Sequence, residues 1–272
     1  MYKGKVIGLI VRAYNEADFI TNTIKGIPYF VDKIFVVDDA SKDNTYDIAN
    51  AYVFLNSLKE KCVLIKHETN KGAGGAIITG FKKAMEINNL DIIAIMDGDN
   101  QMDSKHLTSL LDPIIENEID FTKGNRLKKG YWSGMSKFRL FGNFILSFIN
   151  KFVTGYWKIN DPQNGYIAIN TKILKKMEVE KLDSKYTFEN DLMVKANIIG
   201  AKMQNVLIPA KYGDEVSDIK YRRFIVRTSL YFVKAFFDRI WKKYIKKMRI
   251  FNRKQVLGDK REIPCKTQET LQ

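Results

Sequence analysis

Short apolar runs alternate with amphipathic stretches through the first hundred residues. Val6–Val11, Lys33–Val37, Val63–Ile65 and Ile92–Met96 are mostly apolar, too short for helices and bounded by turn residues. That is the pattern of strands buried on both faces of a parallel sheet. Between them, apolar residues recur at three- and four-residue steps: Ile20, Ile24 and Ile27 before Pro28, then Ile48, Ala51, Tyr52 and Leu55, then Ile77, Phe81, Ala84 and Met85. These predict helices, and Ser41–Thr45 supplies turn and capping chemistry for the second. Strand alternating with helix predicts an α/β fold with a Rossmann-like, mostly parallel central sheet and flanking helices.

The second half is less regular. Leu107–Ile115 predicts a helix broken by Pro113, and Asp120–Lys123 a short strand. Phe138–Phe152 reads as a helix, Asp161–Gly165 as a turn into a strand at Tyr166–Ile169, Thr187–Ile199 as a helix, and Met203–Ile208 as a last strand ended by Pro209. Arg222–Arg249 predicts a long helix with an apolar face running from Val226 through Leu230, Val233, Phe237 and Trp241 to Met248. Arg239, Lys242, Lys243, Lys246, Lys247 and Arg249 fill the rest of its wheel. A basic helix with an aromatic apolar face suits an anionic membrane surface, and no run is long enough to span a bilayer. The alternative is a helix packed on the body with a solvated basic face. The expected organisation is a body at 1–217, the basic amphipathic helix at 218–250, and a polar tail at 251–272 expected to be disordered.

Charge sharpens this division. The chain carries a formal net charge of +14, and sixteen Lys/Arg against four Asp/Glu fall in residues 219–272. The body is therefore nearly neutral and the basic element is an appendage. A nucleic-acid-binding protein using the interleaved Arg and aromatic residues of that appendage is the distant rival. Asp-rich loops in a neutral body argue against it, so no nucleic-acid partner is expected. Cys62 and Cys265 lie far apart with no Cys-x-x-Cys, and His67 and His106 are the only histidines. That excludes a zinc site and a disulfide scaffold and points to a reducing compartment. No signal peptide is expected, since Met1–Lys5 leads directly into a strand.

Chemistry-bearing residues follow the strands: Arg12–Glu16, Asp38–Asp39, Lys71–Gly75 and Asp97–Gln101. In an open parallel sheet such loops converge at one edge and form a ligand site. Asp97 and Asp99, separated by Gly98, offer hard oxygen donors suited to Mg2+ or Mn2+ held jointly with a diphosphate. Gly72, Gly74 and Gly75 open a helix as phosphate loops do, or make a tight turn packed on the sheet. Asp39 reads either as a ribose or base ligand or as a helix cap, and Arg126 as a planar fork for phosphate or a surface residue. Glu189 and Asp191 could each serve as a base or pair with a cation, or simply favour the start of a helix. His67 and His106 read as structural or solvated.

Taken together, Val11-Arg12-Ala13-Tyr14-Asn15-Glu16, Val37-Asp38-Asp39-Ala40-Ser41-Lys42-Asp43, Asn70-Lys71-Gly72-Ala73-Gly74, Asp97-Gly98-Asp99-Asn100-Gln101 and Gly124-Asn125-Arg126 resemble glycosyltransferase family 2 over about residues 5–215. The chain looks closest to dolichyl- or polyprenyl-phosphate sugar synthases. The resemblance implies a GT-A fold, a nucleoside-diphospho-sugar donor and a polyprenyl-phosphate or glycan acceptor. It implies that Arg12, Tyr14, Glu16, Asp39, Lys71, Asp97, Gly98 and Arg126 bind the donor. Asp97, Asp99 and Gln101 would hold Mg2+ or Mn2+, and Asp191 would join Asp99 as a catalytic group. Arg12 stands where these synthases usually have proline and Gly98 where alanine is usual, which leaves UDP and GDP both open. The expected location is cytoplasmic, peripheral at the inner face of the plasma membrane.

Overall fold

The computed structural model describes residues 1–132, 135–185, 187–209 and 221–245, without the side chains of residues 138, 139 and 221–227. The tail at 251–272, the boundary at 217/218, and Lys246, Lys247, Met248 and Arg249 lie outside the described residues.

Seven strands form one sheet: β1 (Ile7–Ala13), β2 (Lys33–Asp38), β3 (Cys62–Lys66), β4 (Ile92–Asp97), β5 (Phe121–Asn125), β6 (Ile167–Asn170) and β7 (Met203–Leu207). Their order is β3-β2-β1-β4-β6-β5-β7. Only β6 is antiparallel, to β4 on one side and β5 on the other. The helices are α1 (Ile20–Gly26), α2 (Thr45–Leu55), α3 (Ala73–Met85), α4 (Leu107–Glu116), α5 (Lys137–Thr154), α6 (Thr171–Leu174), α7 (Phe188–Ile198) and α8 (Tyr221–Ile240). A single π-turn, Trp241–Ile245, follows α8.

Both faces of the sheet are covered, which is why the strands read as continuous apolar runs. Ile7, Leu9, Val11 and Ala13 of β1 pack on one face with Ile20, Ile24, Ala49 and Leu110. Ile10 packs on the other with Ile77, Phe81 and Phe188. Alternation along β1 thus sends successive side chains into two separate cores. Strand order reverses between β1 and β4, and the carboxyl ends of strands flanking such a reversal make the ligand crevice of open α/β sheets.

One local expectation changes, and one open choice closes. Pro113 does not break α4, which runs through it to Glu116. A proline removes one helical hydrogen bond, and burial of Leu110, Leu111, Pro113 and Ile114 on the sheet offsets that loss. The glycine run is a packing device. Gly72 adopts φ +84°, and a Cβ there would meet the Ser184 carbonyl at 2.7 Å. A Cβ on Gly74 would lie 2.6 Å from the Asp183 carbonyl and 2.7 Å from Phe188 Cβ. The Gly75 amide donates to the Ser184 carbonyl at 3.0 Å. The segment leading into α7 therefore lies across the N-terminus of α3, in the place a phosphate would take in a phosphate loop. Gly74→Ala should destabilise the fold by about 1–3 kcal/mol, measured as a lower urea midpoint at unchanged m-value. An unchanged midpoint would mean that this contact yields freely.

Candidate active site

Arg12 lies one residue before the end of β1 and Asp97 ends β4, and the two are register partners in adjacent parallel strands. Arg12 Nη2 donates to Asp97 Oδ2 at 3.0 Å and Nε donates to Oδ1, a two-pronged pair. Arg12 Nη1 lies 3.8 Å from Glu189 Oε1 at the start of α7. Burial opposes the guanidinium charge, but Asp97, with Glu189 and Asp99 further off, raises its pKa above the ordinary arginine value. Gly98 is held between the strands: its amide donates to the Arg12 carbonyl at 2.8 Å and its carbonyl accepts from Thr23 Oγ1 at 2.8 Å. A Cβ on Gly98 would lie 3.0 Å from the Arg12 carbonyl, so glycine suits this position better than alanine. Asp99 follows, with Oδ1 accepting from the Gln101 amide at 2.9 Å, and Asn100 between them takes φ +58°.

The neighbouring loops are braced against one another. Asn15 and Ser41 cross-link the loops after β1 and β2, through Asn15 N–H to Ser41 Oγ at 2.9 Å and Lys42 N–H to Asn15 Oδ1 at 2.8 Å. The Glu16 amide donates to Thr45 Oγ1 at 2.7 Å, and Tyr14 stands exposed at the rim. Asp39 is buried, and its carboxylate accepts from the Lys71 and Gly72 amides, both at 2.8 Å. His67 Nδ1 bonds it at 2.7 Å while Nε2 bonds Thr79, so His67 is structural as expected. Asp39 thus organises the Asn70–Gly72 turn from below, while the Lys71 side chain is exposed.

Beyond β4, Arg126 is clamped by Asp161. Arg126 Nε donates to Asp161 Oδ2 at 2.8 Å, Nη2 to Oδ1 at 3.1 Å, and the Arg126 amide to Oδ2 at 3.0 Å. Asp161 is fully buried and opens the turn to Gly165. A Cβ on Gly165 would lie 3.3 Å from Arg12 Nη2 and 3.6 Å from Asp97 Oδ2, so this turn walls the Arg12–Asp97 pair. Lys123, fully buried in β5, donates its ammonium to the Asn164 carbonyl in the same turn. Burial lowers the Lys123 pKa to about 8, against the opposing pull of Glu189 and Asp161.

Asp191 is turned away from this cluster. Residues two apart on a helix point about 200° apart, so Glu189 faces Arg12 and Asp191 faces the other flank of α7. The Asp191 carboxylate accepts from the Asp183 amide at 2.8 Å, Lys195 Nζ at 2.9 Å and Tyr231 OH at 2.9 Å. Burial, and then the Asp191 charge, raise the Tyr231 pKa. Tyr231 belongs to α8, so the structure brings Glu189, rather than Asp191, to Arg12.

The same contact shows how the basic helix lies. Phe232 and Ala235 of α8 pack with Val153 of α5 and Val194 of α7. Arg239, expected to face a membrane, is buried instead; it donates to the Phe152 and Val153 carbonyls, each at 2.8 Å. Those carbonyls end α5 and lack helical partners, which is why a guanidinium binds there. Lys243 donates to Asn197 Oδ1 at 2.7 Å, and Lys242 lies 3.8 Å from Asp238. Leu230, Val233, Phe237 and Trp241, the apolar stripe expected from the sequence, remain exposed.

Sequence reasoning passed over Asp161, Lys123 and Tyr231. Asp161 lay within a stretch read only as a turn, and Lys123 within one read as a strand. Nothing local marked Tyr231 as a partner of Asp191. The donor set was also tested for a divalent cation. Among the described residues no three His, Cys, Asp or Glu side chains gather as a metal cage. A Mg2+ that keeps waters and substrate oxygens needs only one or two carboxylates, and Asp99 with its neighbour Gln101 fits that requirement. Asp97 fits it only in part, since both its oxygens accept from Arg12.

A mostly parallel sheet with a crevice at its strand-order reversal, bordered by an Asp-x-Asp turn and a clamped arginine, has the GT-A architecture. The family model "Glycosyl transferase family 2" matches residues 9–178. A UDP-N-acetylglucosamine–dolichyl-phosphate N-acetylglucosaminyltransferase of Methanococcus voltae is 35% identical over 193 residues, 67% of this chain and 76% of that protein. An undecaprenyl-phosphate mannosyltransferase of Micrococcus luteus is 27% identical, over 73% of this chain and 81% of that protein. The glucosyl-3-phosphoglycerate synthase of Mycobacterium tuberculosis, crystallised with Mn2+, UDP and glucosyl-3-phosphoglycerate, superposes with a TM-score of 0.61. At 16% identity, covering 87% of this chain and 80% of that one, it shares the fold. The chain belongs to glycosyl transferase family 2 and is a glycosyltransferase.

Two outcomes test the geometry. Asp161→Ala should release the Arg126 side chain from its clamp and cost about 1–3 kcal/mol; calorimetry and transfer assays should fall together. Lys123 gives a pH signature. Below about pH 8 the lysine is protonated in both folded and unfolded chains, so the cost of burying its charge is carried in full. Between about 8 and the ordinary value of 10.5 the unfolded chain binds more protons, so stability rises with pH. Urea denaturation across that window should show wild type gaining on Lys123→Met. Parallel curves would remove the buried charge.

Proposed function

We propose that the chain is an inverting glycosyltransferase that moves a sugar from a nucleoside-diphospho-sugar to a polyprenyl phosphate at the cytoplasmic face of the plasma membrane. Residues 1–217 carry the reaction and residues 218–250 serve the membrane side. The acceptors of the M. voltae and M. luteus relatives, a dolichyl and an undecaprenyl phosphate, support this acceptor class. The observation that carries the reading is the engagement of Asp191. A carboxylate already accepting from an amide, an ammonium and a phenol is poorly placed to remove a proton from a sugar hydroxyl. A phosphate monoester is ionised near neutral pH and needs no such base.

An oxygen of the acceptor phosphate attacks the anomeric carbon, and the bond from that carbon to the donor's diphosphate breaks. The sugar ends on the lipid phosphate, and the nucleoside diphosphate leaves with the electron pair. Tyr14, Glu16, Asp39 and Lys71 border the nucleoside, with Asp39 acting through the Lys71–Gly72 turn. Gly98 permits the close approach of the Asp-x-Asp turn to β1. Asp99 and Gln101, with Asp97 at their side, would hold Mg2+ or Mn2+, which supplies charge neutralisation on the departing diphosphate. Arg12 places a fixed guanidinium beside the same diphosphate, and Arg126, held by Asp161, meets a phosphate of the donor.

The full chain should be incubated with UDP-, GDP- and dTDP-sugars, a short-chain prenyl phosphate and Mn2+, with products read by mass spectrometry. A sugar phosphodiester is expected with one donor. Asp99→Ala should abolish it at unchanged melting temperature, and near-normal turnover would remove the metal assignment. Asp191→Asn should act within roughly tenfold of wild type on this acceptor. A loss of about 10²–10⁴ for that variant, with product only from sugar-hydroxyl acceptors, would replace the phosphate acceptor by a glycan.

A further inference from the structure

Helix α5 is nearly devoid of polar surface on its outer side. Phe141, Phe144, Ile145, Phe148 and Phe152 are all exposed, with Phe148 at 62%. On the adjacent helix α8, Leu230, Val233, Phe237 and Trp241 are exposed, with Phe237 at 65%. The two stripes are continuous: Phe148 and Phe152 of α5 and Val233 and Phe237 of α8 line one groove of about 340 Å³ walled by apolar side chains alone. Water-exposed apolar surface of this extent marks an interaction site.

We propose that the joined outer face of α5 and α8 inserts into the interfacial layer of a lipid bilayer, and that apolar burial rather than charge is its main holding force. Surrounding residues select lipid over protein. Across α5, residues 155–160 and residues 221–245, Asp238 is the only acidic residue, against eleven Lys and Arg. Trp157, Trp241 and Tyr244 are exposed near the ends of the two helices, and aromatic side chains beside lysines suit the headgroup level of a membrane. A second copy of this chain would bring like charges together around a shared apolar patch, which disfavours pairing. The burial of Arg239 and the bonding of Lys243 remove two cations from the electrostatic account. The exposed phenylalanines remain to carry the attachment. No described helix is long and apolar enough to cross a membrane, so the face lies in the surface. The inference deepens the lipid-phosphate reading by naming the surface that meets the acceptor's bilayer, and it rests on that reading for its purpose.

The test uses the full chain and vesicles of phosphatidylcholine, with and without phosphatidylglycerol, free of any prenyl phosphate. Wild type should sediment with both, and raising NaCl from about 0.15 to about 0.5 M should weaken binding less than threefold, since screening acts on charges and not on apolar burial. Phe148→Glu with Phe237→Glu should lower the partition coefficient at least tenfold. Both positions are exposed, so a circular dichroism melt should match wild type. The double variant should still glycosylate a short, water-soluble prenyl phosphate within about twofold. Equal vesicle binding by wild type and variant, or no binding to either vesicle, would overturn the proposal. Binding only to the anionic vesicles, abolished by salt, would overturn it in favour of charge-driven attachment. A wild-type dimer in solution that the double variant breaks would assign the face to a second copy. Should neither protein glycosylate the short acceptor while wild type alone binds vesicles, the acceptor reading fails and the membrane face stands.

Discussion

The pairing of Arg12 with Asp97 sets the conditions under which the rest of the site exists. It joins the ends of β1 and β4 at the reversal of strand order, where a ligand would lie. A part-buried guanidinium in this position needs a carboxylate, because a buried charge stripped of its partner costs about 3–5 kcal/mol. Satisfying Arg12 therefore engages the first carboxylate of the Asp-x-Asp turn and leaves the second as the better-placed oxygen donor. It also draws in Glu189 from across the crevice. Arg12 is thus a structural hub of this chain.

From that pair, α7 transmits order outward. Glu189 on one flank faces Arg12, and Asp191 on the other holds Tyr231 of α8. A single helix turn thereby ties the catalytic crevice to the appended helix. The turn from Asp161 to Gly165 does similar work on the other wall, with Asp161 clamping Arg126 and Lys123 bonding the Asn164 carbonyl. These contacts come from β5, β6's approach and α7, segments far apart in the chain, so each wall depends on the fold being complete.

The strand–helix alternation of the first hundred residues was legible because apolar periodicity reports burial directly, and strands buried on both faces leave unmistakable runs. The Asp-x-Asp turn was legible for the same reason: it follows such a run. The family motifs pointed to these loops but not to the pairings among them. That Asp97 would be engaged by Arg12 depends on strand register, and that Glu189 and Asp191 would part company depends on the angle of one helix to the sheet. Asp161 and Lys123 were illegible because a turn aspartate and a strand lysine look the same whether solvated or buried. Only the tertiary partner distinguishes them.

The C-terminal helix shows the limit of periodicity most clearly. Residues 224–237 are apolar nearly all round, so several stripes can be drawn through them, and the sequence does not say which one packs. The stripe of Phe232, Ala235 and Arg239 wins against α5 and α7, since small Ala235 allows close approach and Arg239 reaches the open carbonyls ending α5. An arginine that looks like a surface charge thereby becomes a buried cap, and the larger residues Leu230, Val233 and Phe237 are left outward. Packing on the body and presenting an apolar face are not alternatives for such a helix. A helix with apolar residues on more than one side satisfies the first requirement with one stripe and keeps another for whatever lies beyond the protein.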